Sequence, residues 1–209
     1  MIADAAIALL NGGAPLEDLA PFREPDVVVR DLMVCTHGNR DTCCGSFGVP
    51  AYEALREMAK GDPMGDGTLV RVWRTSHTGG HRFAPTLIDF PDGRYWAFAD
   101  HQLLKNLLTH GEELNSIIDH YRGWAAVDTC AEQNAEKAVL SRVGWDWLKA
   151  KKRIETLSRD ADDCRYRVQF DYTNSCSGES GGFEITAEYS GSIPTKNCMK
   201  AGSKGNNPQ

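Results

Sequence analysis

An α/β fold is predicted from three observations. Short runs of β-branched and aliphatic residues alternate with helical apolar stripes between positions 27 and 108. Gly, Pro and Asp-Gly pairs punctuate those segments at intervals too short for an all-helical chain. A length of 209 residues with 41% apolar content is enough to bury a core without disulfide support, in one domain with an appendage or in two small ones.

Each element follows from its own pattern. Residues 1–25 read as an N-terminal arm, a short amphipathic helix followed by Gly12-Gly13 and a linker carrying Pro15, Pro21 and Pro25. Val27 to Val34 is a strand that ends at Cys35. Pro50 to Lys60 is a helix, with Ala51, Leu55 and Met58 on one face and Gly61 as its stop. A loop at 62–67 leads to a second strand containing Leu69, Val70, Val72 and Trp73, which runs towards His77. Phe83 to Phe90 forms a third strand, and the Asp92-Gly93 turn returns the chain through Tyr95 to Phe98. Leu103, Leu104, Leu107 and Leu108 mark the next helix. Strand, helix, strand, strand, strand, helix is the order of a thioredoxin-like domain. A helical stretch from Glu112 to Lys152 follows, then a β-hairpin built from Tyr166 to Tyr172 and Phe183 to Tyr189, then a tail expected to be disordered. The resulting boundaries are 1–25 for the arm, 26–152 for the thioredoxin-like domain with its following helices, and 153–209 for the hairpin appendage and tail.

Composition narrows the class of function. A formal charge of −6 argues against a general nucleic-acid or anionic-membrane binder, leaving a protein or a small molecule as the expected partner. Seven cysteines without regular spacing do not make a secreted disulfide framework, and a reducing cytoplasm is expected. Asp4 stands where a signal peptide needs positive charge, and no apolar run approaches the roughly 20 residues of a membrane span.

The chemistry concentrates in two segments. One is Cys35-Thr-His-Gly-Asn-Arg-Asp-Thr-Cys43-Cys44-Gly45; the other is Ser76-His77-Thr-Gly-Gly-His81. Thiolate and imidazole are the side chains that bind zinc and iron strongly, and two of each close a four-ligand set. Cys43 and Cys44 compete for one position, since adjacent side chains project in different directions. His77 and His81 have the spacing of helical zinc ligands, but the Gly pair between them predicts a loop, and Thr78 stands where a zincin needs Glu. His37, His101, His110 and His120 have no such context and are expected on the surface or in the core. Arg40 and Asp41 are expected to brace the loop as a pair. Cys35 and Arg40 are separated by four residues, one too few for a phosphatase loop, and no pair with a two-residue spacing supports a dithiol oxidoreductase.

At these residues the sequence resembles the sucrase/ferredoxin-like family, whose thioredoxin-like ferredoxin domain carries CTHG-x-RD-x-CC and SH-x-GGHRFA patterns. The similarity runs from about Leu32 to Asp100 and on through Tyr121-Arg-Gly. The resemblance implies a 2Fe-2S cluster on Cys35, Cys44, His77 and His81, in a one-electron carrier with protein redox partners; because a metal-bound imidazole keeps a second ring nitrogen, its redox is expected to be coupled to protons. The alternatives are a structural Cys2His2 zinc module for protein interaction and a thiol oxidoreductase using Cys43 or Cys44. Sugar hydrolysis is not expected, because no carboxylate pair suits it. Many relatives carry a larger segment ahead of the Cys motif, where 34 residues stand here.

Overall fold

The computed structural model describes residues 28–60, 67–111, 113–162, 164–175 and 177–192, with positions 4, 7 and 11 described singly. The expected arm helix and proline linker, most of the 62–67 loop, Cys176, Cys198 and the tail lie outside the described residues.

Eight strands and four helices succeed one another as β1 (Val29–Cys35), α1 (Thr42–Met58), β2 (Leu69–Thr75), β3 (Leu87–Phe90), β4 (Arg94–Trp96), α2 (His101–Thr109), β5 (Tyr121–Trp124), α3 (Cys130–Val143), α4 (Asp146–Lys149), β6 (Lys151–Arg159), β7 (Arg165–Thr173) and β8 (Ser180–Glu188) among the described residues. The first five strands form one sheet in the order β2-β1-β3-β4-β5. β1 and β2 are parallel, in a register that pairs Val29 with Leu69 and Cys35 with Thr75. β3 runs antiparallel to β1, and β4 antiparallel to β3. A parallel pair joined through a helix, followed by an antiparallel hairpin and a helix, is the thioredoxin-like arrangement the sequence order predicts. No helix among the described residues is long and apolar enough to cross a membrane.

The chain departs from the sequence reading in four places. α1 begins at Thr42, eight residues ahead of the expected start, and carries Pro50 inside it. Its buried positions Cys44, Gly48, Ala51 and Leu55 form one helical stripe. β5 stands where helix was expected and extends the first sheet antiparallel to β4. The expected hairpin is β7 and β8, joined by β6 into a three-stranded antiparallel sheet. Phe83 precedes β3 in a short 3-10 turn, His81–Phe83, rather than opening the strand.

One core runs through both sheets. Leu32, Val34, Leu55, Leu87, Leu103 and Leu107 have no exposed surface, and the cluster continues through Leu140 and Trp147 to Val168 and Phe170. The C-terminal sheet therefore covers apolar surface with one face. A buried polar network crosses the same junction: Arg94 on β4 pairs with Glu136 on α3, and that carboxylate also accepts from Tyr121 (2.7 Å) and from the Trp147 indole (2.8 Å). Every residue of the network has at least one partner, which makes such burial tolerable, although Arg94 Nε is buried without one. α3 opens with a capping box between Thr129 and Glu132, and the second Glu132 oxygen accepts from Thr156 on β6 at 2.9 Å.

Candidate metal centre

The parallel pairing of β1 and β2 builds the site, because it brings the carboxyl ends of both strands to one edge of the sheet. Cys35 is the last residue of β1, and its partner Thr75 closes β2 two residues before His77. Backbone bonds fasten the edge: Cys35 N–H donates to Thr86 O (3.0 Å) and Thr36 N–H to Thr75 O (3.2 Å). The chain leaving Cys35 turns directly into α1, whose first turn returns Cys44 towards Cys35. The Sγ atoms of Cys35 and Cys44 and a ring nitrogen of His77 all lie within 4.8 Å of one another.

Burial divides the donors. Cys35 and Cys44 are 1% and 0% exposed, whereas the His77 and His81 side chains keep 24% and 28% of their surface. His77 Nδ1 stands 3.6 Å from Cys44 Sγ. His81 is not part of that close group; its ring centroid is 6.2 Å from that of His77. The Gly79-Gly80 turn between them has φ of +88° and +65°, the left-handed region that side chains with a Cβ resist, so the loop reading holds. Burial, then the Cys35 thiol and the Asp41 charge, push the Cys44 thiol up to about 12. A metal bound at this sulfur has to displace its proton, so uptake strengthens as pH rises.

Cys43 is not a member of this group. It is half-buried and disulfide-bonded, a state that a reducing compartment does not favour. Cys44, wholly buried beside Cys35, is the member of the adjacent pair that faces the other donors.

The profile of the sucrase/ferredoxin-like family matches residues 10–123, more than half of the chain. The chain belongs to the sucrase/ferredoxin-like family. Among curated relatives, altered inheritance of mitochondria protein 32 from Meyerozyma guilliermondii is 29% identical over 70 residues, which cover 34% of this chain and 24% of the relative. This sucrase/ferredoxin-like chain thus aligns with about a quarter of that protein's length. Among solved structures, a thioredoxin-like [2Fe-2S] ferredoxin from Aquifex aeolicus overlays 48% of this chain and 96% of its own, at 14% identity and a TM-score of 0.38. At that distance nothing of its site is carried over.

Two residues of the centre were not foreseen. Asp41 does not pair with Arg40, which is exposed; its carboxylate, 9% exposed, lies 2.6 Å from His81 Nδ1 through Oδ1 and 3.4 Å from His77 Nδ1 through Oδ2. His37, expected to have no role here, accepts the backbone N–H of His77 at 3.3 Å through Nδ1. Both belong to the Cys35-to-Cys44 segment, so the signal was their place inside the motif. Arg122 on β5 adds a cation at the far side of the loop, 3.8 Å above the Phe83 ring and beside Gly80.

Proposed function

We propose that the protein is a one-electron carrier whose centre is a 2Fe-2S cluster held by Cys35, Cys44, His77 and His81. The observation that carries this reading is two sealed thiols and an imidazole gathered within 4.8 Å at one sheet edge, with a second imidazole on the same loop. Membership of a family described as sucrase/ferredoxin-like supports it. The donor chemistry fits, because thiolate and imidazole are the protein ligands of Rieske-type centres. Bound there, the cluster would supply a site that takes up and returns one electron.

The chain's own residues set the conditions. The wholly buried sulfurs keep water from one side, and the histidine edges meet solvent on the other. Imidazole in place of thiolate leaves the centre less negative and favours reduction. A metal-bound imidazole keeps its second ring nitrogen for a proton, so the reading includes a potential that varies with pH. The partners on this reading are redox proteins that donate and accept the electron, not nucleic acid or membrane.

One distance favours a second reading, a single zinc ion in a structural site. Ligands at about 2.3 Å (sulfur) and 2.0–2.1 Å (nitrogen) from one tetrahedral ion stand about 3.6 Å apart, the separation of Cys44 Sγ and His77 Nδ1. Absorption and electron paramagnetic resonance spectra of anaerobically purified protein, with iron, sulfide and zinc analysis, separate the two. Visible charge-transfer bands with equal iron and labile sulfide support the carrier. Stoichiometric zinc in colourless protein made with adequate iron removes it.

A further inference from the structure

Asp41 occupies the N-cap of α1 with the extended backbone of such a position (φ −144°, ψ 126°), yet its side chain caps nothing in its own helix. Aspartate is among the residues most favoured there because its carboxylate accepts the N–H of the second or third helical residue. Here the main-chain oxygen alone engages the first turn, accepting from Cys44 N–H at 3.0 Å, and the carboxylate turns to the histidine loop. We propose that Asp41 is a positioning residue: it holds the ring proton of His81 on Nδ1, so that Nε2 is the nitrogen His81 offers a metal, whereas His77 offers Nδ1. The role of His81 Nε2 towards a metal rests on the proposed centre; the placement of the proton does not.

Two distances fix the assignment. A carboxylate only accepts, so a 2.6 Å contact to His81 Nδ1 needs a proton on that nitrogen. A neutral imidazole has one N–H, which leaves its lone pair on Nε2. The other oxygen is 3.4 Å from His77 Nδ1, beyond the 2.7–3.2 Å of an N–H···O bond. That nitrogen instead faces Cys44 Sγ at 3.6 Å and is uncommitted to the carboxylate. The ring proton stays on its imidazole throughout; what Asp41 selects is which nitrogen carries it. Its burial and its fixed place at the start of α1 make it a rigid template, and carboxylate partners of this kind orient ligand histidines in metal sites generally.

The test uses the full chain with ¹⁵N-labelled histidine, metal-free, at a pH where each ring carries one proton. Long-range ¹H–¹⁵N spectra report the tautomer. Wild type is expected to show His81 with its proton on Nδ1. Asp41→Asn, whose amide oxygen still accepts, is expected to preserve it, and Asp41→Ala to shift the tautomer ratio about tenfold or more towards Nε2–H. A wild-type proton on Nε2, or an unchanged ratio in folded Asp41→Ala, overturns the proposal. A second measurement, needing no variant, loads wild type with ¹¹³Cd and reads nitrogen–cadmium coupling. Coupling at His81 Nε2 and His77 Nδ1 supports the assignment, and coupling at His81 Nδ1 overturns it. Cadmium that fails to engage the two thiols removes the proposed centre instead, and the metal-free tautomer still decides the role of Asp41.

Discussion

Replacing Gly48 by alanine tests how tightly the thiols are held. Gly48 lies on the buried stripe of α1, where a Cβ would stand 1.9 Å from Cys35 O and 3.0 Å from Cys35 C. Real Cβ atoms essentially never approach closer than 3.0 Å, so α1 and the end of β1 must part by about 1.1 Å. The obstacle is main chain that already holds the edge, with Cys35 N–H donating to Thr86 O, so no side chain can swing aside. Overpacking of this kind costs about 1–3 kcal/mol. The displacement carries Cys44 away from donors gathered within 4.8 Å, so metal affinity falls along with stability. Urea denaturation of the metal-free chain reads the first effect, and cadmium titration followed by thiolate charge-transfer absorption reads the second. Gly79→Ala is the control: no atom lies within 4 Å of its Cβ, and only the φ of +88° penalises it, by about 1–2 kcal/mol. A Gly48→Ala chain with wild-type midpoint and wild-type cadmium affinity would refute the packing of α1 on β1, and with it the pairing of the two thiols.

Cys44→Ser is expected to abolish or badly weaken metal binding and Cys43→Ser to leave most of it, as metal analysis of the purified variants will show; the reverse pattern moves the ligand to Cys43. His77→Cys, where the cluster still assembles, should lower the reduction potential in voltammetry, since an added thiolate makes the centre more negative. Burial, followed by the Arg94 charge, lowers Lys152 from 10.5 to about 8. From about pH 8 to 10.5 the unfolded chain binds the proton that the folded chain has lost, so stability rises with pH, and Lys152→Met should remove that rise and stabilise the protein at pH 7 by about 1 kcal/mol after allowance for solvent screening. Denaturation midpoints of both proteins across that range check it.

The metal-binding residue types were legible because they are rare, reactive and locally spaced. Cys35 closes β1 and His77 follows the end of β2 by two residues, where the apolar runs of those strands stop. The start of α1 was hidden because its buried stripe is made of small residues: Cys44 and Gly48 carry little of the apolar signal that Ala51 and Leu55 provide, and Pro50 reads as a first helical residue. β5 spans only four residues, too few for a period of two to declare itself against a helical background. Its identity depends on the β4 edge that it pairs with, which is non-local information. Asp41 was visible as a residue but not as a contact, because its histidine partners arrive from 36 and 40 positions away.

The uneven sealing of the centre has a directional consequence. Among the described residues both sulfurs are walled in and the imidazole edges are open, so exchange with anything outside has its short exit through the loop of five residues from His77 to His81. Traffic through a single doorway ties rate to orientation: a partner arriving on the helix side meets a thickness of protein, and one arriving at the loop meets the histidines themselves. Substitutions around that loop should therefore act on encounter, while substitutions behind the thiols should act on assembly.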